Sequence, residues 1–527
     1  MALYDHVIPA QSTRMLGALA AGVAIAFAIE LGLRLLRAQM LAYLGARLEN
    51  LIATGTFGQL LRLPAPLLES AAVGTQAARL KEFDSIRDLV TGPMVSVGLE
   101  LPFVALFLAV IAWLGGPLAY IPLALIALYA AIGAAALPAL QRGVAAAAKA
   151  RAQRHAFNVE MMTNARAIKQ LAVEGIWLAR YRALSAEASF AHFRTAQLSF
   201  LLQTLAQAIM MGAGIATIVF GTLRVMAHDM SIGALIAVMA LVWRVLSPLQ
   251  NLFLALTRFE QAKQSVGQLD QLMRMPTEER ARPPTRVAQT IGGALSFERV
   301  SFRYRPDAEP ALLGVSLRAA PGSLLGITGG NGAGKSTVLA LAAGLYRPQA
   351  GIVAIDGVDI RQMDSAMLRR NIAYVAQDCH MFHGSIAQNL RLGHPTASDR
   401  ELEAICADLG ILDQIRTLPD GLETRIGDQR VEQLNVGFKQ RLSIARALLR
   451  RPALLLLDEA ARALDFDGDK AFARLIAGLR GKTTVVMVSH RPSHLKLCDR
   501  LVVLAAGTVV RAGKPADVLG DWKGATA

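Results

Sequence analysis

The stretch Gly329-Gly330-Asn331-Gly332-Ala333-Gly334-Lys335-Ser336-Thr337 decides how the second half of the chain folds. It fits the pattern G-x-x-x-x-G-K-[ST], follows an apolar run at 324–327 that predicts a strand, and precedes 338–342, which predicts a helix. In that setting the glycines let backbone N–H groups close around phosphate oxygens, and the helix N-terminus adds partial positive charge. The sequence therefore predicts an α/β domain in which residues 329–337 form a phosphate-binding loop. Each of these residues is expected to contact the nucleotide.

A second set of residues supplies the chemistry that such a loop needs. Lys335 is expected to reach the β- and γ-phosphates, and Ser336 to offer its hydroxyl to Mg²⁺. The leucine run at 454–457 predicts a buried parallel strand, and two acids follow it. Asp458 is expected to hold Mg²⁺ and Glu459 to polarise the attacking water as a general base. The alternative is a strand that merely ends in two exposed acids, and the phosphate loop disfavours it.

Three further residues complete the predicted site. His490 follows the apolar run 485–488 and is expected to contact the γ-phosphate and steady the general base. Gln377 follows the run 372–376 and is expected to reach Mg²⁺ or the water. Tyr304 precedes the loop and is expected to stack on adenine. A single histidine or tyrosine is more often structural, so these predictions depend on the whole set.

The first half of the chain has a different composition. The chain has 527 residues, a formal net charge of +15, 54% hydrophobic residues and a mean hydropathy of +0.39. A bilayer needs about 20 apolar residues per span, and the sequence predicts five such spans, at 15–36, 93–114, 118–137, 198–223 and 232–254. The basic residues crowd the loops beside these spans, which favours a positive-inside membrane orientation and not nucleic-acid binding.

These observations predict an α-helical transmembrane domain of about five spans followed by an α/β phosphate-loop nucleotide-binding domain. The expected boundaries are 1–274 for the membrane domain, 275–291 for a linker and 292–527 for the nucleotide-binding domain. Two long basic excursions, at 42–92 and 141–194, are expected to lie with the nucleotide-binding domain in the cytoplasm. The short turns at 115–117 and 227–231 would face outward.

The order of these elements resembles that of the ATP-binding cassette (ABC) exporters. Tyr304 is similar to the A-loop of that family, 329–337 to its Walker A motif and Gln377 to its Q-loop. Asp458 and Glu459 resemble Walker B with its catalytic glutamate, 463–465 the D-loop and His490 the switch histidine. The segments 81–108, 230–250 and 372–390 resemble the type I protein-secretion exporters, of the haemolysin-exporter kind, and the resemblance covers essentially the whole chain.

The resemblance implies an ATPase that drives export of a protein or peptide across the bacterial inner membrane, with ATP and Mg²⁺ as cofactors. It also implies a dimer with a second ABC subunit, contacts with membrane lipids, a periplasmic adaptor and an outer-membrane channel. Short coupling helices are expected near 71–76 and 164–172. A non-hydrolysing regulatory subunit and a lipid or drug exporter remain alternatives, and the cargo is not specified.

The chain departs from the family in two places. The LSGGQ signature, which closes over the γ-phosphate of the other subunit, is replaced by Leu434-Asn435-Val436-Gly437-Phe438, and Arg462 and Arg430 replace small residues nearby. These changes predict a heterodimer, because a homodimer would have two damaged sites. The family's first membrane helix also has no counterpart after Met1, so the subunit either has five spans or starts further upstream.

Overall fold

The computed structural model describes residues 2–70, 93–278, 291–426 and 434–520, and the structural statements below refer to those residues. The chain divides into two compact units, one formed by Met1–Arg62 with Glu69–Met275 and the other by Leu63–Leu68 with Pro276–Ala527. The predicted coupling helix near 71–76, Arg430 and most of the predicted linker lie outside the described residues.

The first half of the chain is helical in every described segment longer than a turn. After a short helical turn at residues 3–10, its helices are α1 (Thr13–Leu61), α2 (Ala65–Ser70), α3 (Pro93–Gly115), α4 (Tyr120–Thr163), α5 (Ala165–Gln170), α6 (Glu174–Met226) and α7 (Ile232–Met273). The short helix α5 lies within the region where the second coupling helix is predicted.

Four helical stretches of the described chain are long and apolar enough to cross a membrane: Thr13–Leu61, Gly98–Thr163, Glu174–Met226 and Ile232–Leu252. These stretches include all or most of each of the five predicted spans, because the second and third predicted spans share the second stretch. The predicted span 93–114 begins before Gly98, and the span 232–254 runs past Leu252. A 3₁₀ turn at Gly116–Ala119 separates α3 from α4 inside that stretch. The helices also continue well beyond the predicted spans, since the polar excursions are helical extensions of them.

Local sequence explains where these helices begin and end. The hydroxyl of Ser12 accepts a hydrogen bond from the first turn of α1, and α1 ends shortly before Pro64, which cannot continue a helix. In the turn between α3 and α4, Gly116 adopts φ +53°, and Arg224 of α6 donates to the carbonyl of Gly115 at 3.0 Å. The predicted turn at 115–117 is therefore confirmed.

The core of the helical unit centres on one stripe of α7. Val238, Val242, Val245 and Leu246 have no exposed surface, and their spacing of three and four residues places them on one helical face. They pack in one cluster with apolar residues of α3, α4 and α6. By contrast, the apolar window of α1 is not buried within the chain, which suits a surface facing lipid or a second subunit.

The second unit is an α/β domain. Its strands are β1 (Leu295–Phe302), β2 (Leu312–Ala319), β3 (Leu324–Gly329), β4 (Ala350–Ile355), β5 (Val358–Asp359), β6 (Ile372–Val375), β7 (Gly384–Ser385), β8 (Arg425–Ile426), β9 (Leu454–Asp458), β10 (Thr484–Val488), β11 (Arg500–Ala505) and β12 (Thr508–Gly513). Its helices are α8 (Lys335–Ala342), α9 (Ser365–Asn371), α10 (Ile386–Arg391), α11 (Asp399–Asp408), α12 (Leu412–Arg416), α13 (Val436–Leu449), α14 (Phe466–Leu479), α15 (Pro492–Leu495) and α16 (Pro515–Leu519).

The main sheet of this domain brings the predicted site residues to one edge. Its strand order is β12-β11-β3-β10-β9-β6, and only β12 runs antiparallel to its neighbour. Val488 pairs with Ile327 on one side and with Asp458 on the other, so β3, β9 and β10 end together. Ligands of open parallel sheets bind at the carboxyl ends of the strands. A separate antiparallel sheet, β2-β1-β4-β5, covers part of the domain.

Candidate functional site

The phosphate loop connects β3 to α8, as the sequence predicts. Gly334 caps the helix with φ +92°, a conformation that glycine adopts without strain. A Cβ atom at that position would lie 2.4 Å from the carbonyl oxygen of Ala311. Both the backbone conformation and the nearby carbonyl of Ala311 therefore require glycine there. Together they hold the loop curved around the start of α8.

Lys335 lies at the base of this loop. Only 7% of the residue is exposed, and its Nζ donates to the carbonyl oxygens of Gly329 and Gly330 at 3.0 and 2.8 Å. Burial lowers the pKa of this ammonium group, while the negative charges of Glu459 and Asp458 oppose that shift. A buried cation at the N-terminus of a helix fits an anionic ligand such as a phosphate group.

The predicted magnesium ligands lie together. Asp458 is 3% exposed; its carboxylate accepts a hydrogen bond from the hydroxyl of Tyr374 at 3.2 Å and interacts with the side chain of Ser336. Burial raises the pKa of Asp458. A buried carboxylate beside a hydroxyl provides the oxygen ligands that Mg²⁺ prefers, and a bound cation would offset the cost of burying the charge. Gln377 is exposed and lines the cleft into which Ser336 faces.

Glu459 and His490 form a direct pair. The His490 Nε2 atom lies 3.2 Å from Glu459 Oε1, and the Glu459 backbone N–H donates to the carbonyl of Val488 at 3.1 Å. Glu459 adopts φ +48°, which is uncommon for a residue other than glycine and concentrates at functional sites. The strand ends therefore hold the predicted general base and its histidine within contact distance.

Arg462 also lies close to the general base. Its Nη1 atom is 4.0 Å from Glu459 Oε2, and its side chain is 68% exposed. The positive charge stands where the family has a D-loop serine, and it attracts Oε2 of the carboxylate, whereas His490 lies nearest Oε1. At this distance and exposure the interaction is weak and salt-sensitive.

Tyr304 lies in the loop after β1 and not within a strand. Its hydroxyl is 3.0 Å from the Oγ1 atom of Thr337, and the residue is 51% exposed. The edges of Phe302 and Tyr346 pack against the ring, with centroid distances of 5.0 and 5.2 Å. Such edge-to-face packing fixes the orientation of the tyrosine ring at the mouth of the cleft. Stacking on adenine stays a prediction.

One cleft of about 760 Å³ collects most of the predicted residues. Its walls include Tyr304, Asn331, Gly332, Ala333, Gly334, Lys335, Ser336, Thr337, Gln377, Glu459 and His490. Gly329, Gly330 and Asp458 are not wall residues; Asp458 contacts the cleft through Ser336, and the two glycines through Lys335. The geometry is that of a site for a nucleoside triphosphate and a divalent cation.

The segment in place of the signature forms the start of α13. Asn435 caps the helix: its Oδ1 atom accepts a hydrogen bond from the N–H of Phe438 at 2.6 Å. The ring of Phe438 belongs to the domain core, with 3% of the residue exposed, whereas Val436 is 67% exposed. A Cβ at Gly437 would lie 2.7 Å from the carbonyl of Ala463, so this glycine is needed for packing.

Sequence reasoning missed two groups of polar residues beside the cleft. Gln440 donates to the carbonyl of Glu459 at 3.2 Å and accepts from the N–H of Ala463 at 3.1 Å, which ties α13 to the catalytic loop. His494 is buried between Ser489 and Asp469. The only sequence signal for the second group is a second histidine four residues after His490, which by itself does not distinguish a core residue from a functional one.

A helical domain with membrane-spanning stretches followed by a phosphate-loop ATPase domain defines an ABC exporter. Residues 2–249 match the family of ABC transporter transmembrane regions, and residues 312–462 match the ABC transporter ATP-binding family. The chain belongs to the ABC transporter family, and its relatives are ATP-binding proteins of type I secretion.

Several characterised relatives match nearly the whole chain. The cyclolysin secretion/processing ATP-binding protein CyaB of Bordetella pertussis is 33% identical over 512 residues, covering 97% of this chain and 71% of CyaB. The leukotoxin export ATP-binding protein LtxB of Aggregatibacter actinomycetemcomitans is 31% identical, covering 99% and 73%. The alpha-hemolysin translocation ATP-binding protein HlyB of Escherichia coli is also 31% identical, covering 98% and 73%.

The fold has a close counterpart among solved structures. A bacterial Atm1-family ABC exporter with ATP bound superimposes with a TM-score of 0.88, covering 100% of this chain and 92% of the exporter at 24% identity. At that identity the similarity speaks for the fold alone. The predicted fold class and the predicted family are thus confirmed.

Proposed function

We propose that this chain is the ATP-hydrolysing subunit of a dimeric exporter that moves a protein or peptide across the bacterial inner membrane. The observation that carries the proposal is the convergence of Lys335, Glu459 and His490 on one cleft. That cleft lies at the carboxyl edge of the sheet, in a chain that also carries helices long enough to span a membrane. The membrane domain is assigned to 1–274, the linker to 275–291 and the cytoplasmic nucleotide-binding domain to 292–527.

The residues of the cleft have separable roles in hydrolysis. The loop N–H groups and Lys335 bind the β- and γ-phosphates of ATP, and Tyr304 takes the adenine. Glu459 accepts a proton from the water that attacks the γ-phosphorus, while the bond from that phosphorus to the ADP oxygen breaks. His490 holds Glu459 and contacts the γ-phosphate. Ser336, Gln377 and Asp458 would hold Mg²⁺, which would supply positive charge to the phosphate oxygens.

A second ABC subunit completes the site. ATP bound at this phosphate loop needs a signature segment from the partner to close over the γ-phosphate. The chain's own segment has an asparagine committed to a helix cap, a branched valine at an exposed position and a phenylalanine buried in the core. These features support a heterodimer in which the partner supplies an intact signature, and in which this chain covers a weak second site.

The relatives support the direction and class of transport. CyaB, LtxB and HlyB are named for the secretion, export or translocation of toxins. By that similarity the cargo is a protein or peptide, and the exporter works with a periplasmic adaptor and an outer-membrane channel. The proposed cytoplasmic position of the helical excursion of α4 is supported by its basic residues Arg142, Lys149, Arg151 and Arg154.

Purification of the tagged chain from its native membrane tests the assembly. We expect a second ABC subunit with an intact LSGGQ segment to co-purify, and the complex to hydrolyse ATP. The variant Glu459→Gln in that complex is expected to bind ATP and to stop both hydrolysis and transport. A complex of this chain with only itself that hydrolyses ATP at full rate would contradict the heterodimer.

A regulatory, non-hydrolysing subunit is the second candidate. The observation that favours it is Arg462, which places a cation near the general base where the family has a serine. The same Glu459→Gln variant separates the two functions. Transport that continues unchanged in the assembled exporter would establish the regulatory role, because a subunit that hydrolyses ATP cannot lose its general base without effect.

A further inference from the structure

A buried histidine lies directly behind the loop that carries His490. His494, at the end of α15, is 1% exposed. Its Nε2 atom lies 2.8 Å from a carboxylate oxygen of Asp469, and its Nδ1 atom lies 3.3 Å from the hydroxyl oxygen of Ser489. Ser489 is the residue before His490. One imidazole thus joins the loop at the end of β10 to helix α14, which begins immediately after the D-loop.

The hydrogen-bond directions in this group are determined by its members. The Ser489 oxygen accepts from the backbone N–H of Arg491 at 3.1 Å, so its own proton is available for Nδ1 of His494. The Nε2–H group of His494 then donates to Asp469. Burial lowers the pKa of His494, and Arg491 acts in the same direction, while Asp469 opposes both. The neutral imidazole therefore has one acceptor and one donor, and both are used.

The other side of the loop is tied to the same carboxylate. Arg491 donates to Asp469 at 2.5 Å and to the backbone carbonyl of Arg462 at 3.3 Å. Asp469 therefore bonds directly to Arg491, which follows His490, and is linked through His494 to Ser489, which precedes it. The His490 side chain is 43% exposed, faces the cleft and contacts Glu459. Its position depends on a loop fixed at Ser489 and at Arg491.

We propose that His494 is a positioning residue for His490, acting through the hydroxyl of Ser489 and anchored by Asp469. Without the imidazole, the Ser489 hydroxyl loses its acceptor, and the loop that aims His490 at Glu459 is held only through Arg491. Small displacements of a catalytic group cost large factors in rate even when the ligand still binds. The inference rests on the proposed ATPase function, since it concerns the geometry of that site.

The test is a double-mutant cycle in the exporter complex purified from its native membrane, with Mg-ATP as substrate. His494→Leu puts an apolar side chain of similar size in place of the imidazole and removes both hydrogen bonds. We expect kcat to fall about tenfold, as a loss of about 1.4 kcal/mol gives, with KM for ATP changed less than about twofold. In a His490→Ala background the same substitution is expected to change kcat less than about twofold, because the group that His494 positions is absent.

Two further variants separate positioning from packing. His494→Asn places an amide oxygen near the position of Nδ1, where it can accept from the Ser489 hydroxyl, and we expect its kcat within about threefold of the unmodified complex. Phe472→Leu replaces the ring whose centroid lies 5.3 Å from the centroid of the His494 imidazole, and it removes no hydrogen bond. We expect it to lower the melting temperature and to act on kcat equally with and without His490. If His494→Leu does not assemble, Ser489→Ala breaks the same link, and the cycle is measured with that variant.

The possible outcomes distinguish failure of the positioning role from failure of the proposed ATPase function. A complex that hydrolyses ATP but loses the same factor on His494→Leu with and without His490 would overturn the positioning role and leave the ATPase function intact. A KM that rises as much as kcat falls would also overturn it. A complex that does not hydrolyse ATP at all would overturn both.

Discussion

Repair of the signature segment should raise the ATPase activity of the lone chain. The double variant Asn435→Ser, Val436→Gly restores a hydroxyl that can reach the γ-phosphate of a second copy and removes the branched side chain at an exposed position. A hydrogen bond to a charged group is worth about 1.5–3 kcal/mol, which corresponds to roughly 10- to 150-fold in rate. Serine also caps helices, so α13 keeps its start, and glycine at the first helical position costs at most about 1 kcal/mol.

Phe438 is left in place in this design. Its ring lies in the domain core with 3% of the residue exposed, and its removal would cost about 3–5 kcal/mol of folding stability. The assay is phosphate release by the purified chain in lipid nanodiscs at saturating Mg-ATP. The rate of the Glu459→Gln variant is subtracted as the blank. The matched control Asn435→Ala, Val436→Gly opens the same space without the hydroxyl, and we expect no gain from it. If the serine variant folds and binds ATP but turns over no faster than this control, the damaged signature is not what limits the lone chain.

Three further predictions concern single residues. Glu459→Gln should lower hydrolysis in the exporter complex by about 10²–10⁴-fold while ATP binding persists, measured by phosphate release and by nucleotide retention. Asp458→Asn should raise the melting temperature without Mg²⁺ and abolish magnesium-dependent hydrolysis. Burial raises the pKa of Asp458 in the fold, so the charged carboxylate destabilises the folded state, and the stability difference between Asp458→Asn and wild type should shrink as pH falls through that raised pKa. Burial raises the pKa values of Cys406 and Cys498 to about 12, so neither should react with a maleimide at neutral pH before unfolding.

Much of the nucleotide-binding half could be predicted from local patterns. The strands ending at Asp458 and at Val488 are continuous apolar runs, and parallel strands covered on both faces have that signal. Because parallel strands end at one edge, the polar residues that follow them had to converge there. The loop around Lys335 is equally local, since its glycines and the following helix are consecutive in sequence.

The remaining features depend on contacts between distant segments. The pairing of His494 with Asp469 joins residues on two helices, and no spacing in either helix announces it. The left-handed backbone of Glu459 follows from the way its N–H reaches Val488. The membrane half shows a related limit: a polar excursion can be recognised as helical from its pattern, but hydropathy does not show that α1 or α6 runs from span to excursion without a break.

The packing role of Phe438 could also not be predicted from the sequence. In the sequence, Phe438 stands where the signature has a glutamine and so indicates only the loss of that glutamine. In the fold, Phe438 is a core residue. Phe438 therefore contributes to the packing of the domain, and Phe438→Gln would remove buried apolar area.

In the proposed exporter this chain holds half of an ATPase site, and another subunit closes it. The most direct measurement is hydrolysis and ATP binding by the purified chain alone, beside its Glu459→Gln variant. We predict that both proteins bind Mg-ATP and that the unmodified chain releases phosphate no faster than the variant. Steady turnover by the lone chain, well above that of Glu459→Gln, would contradict the claim.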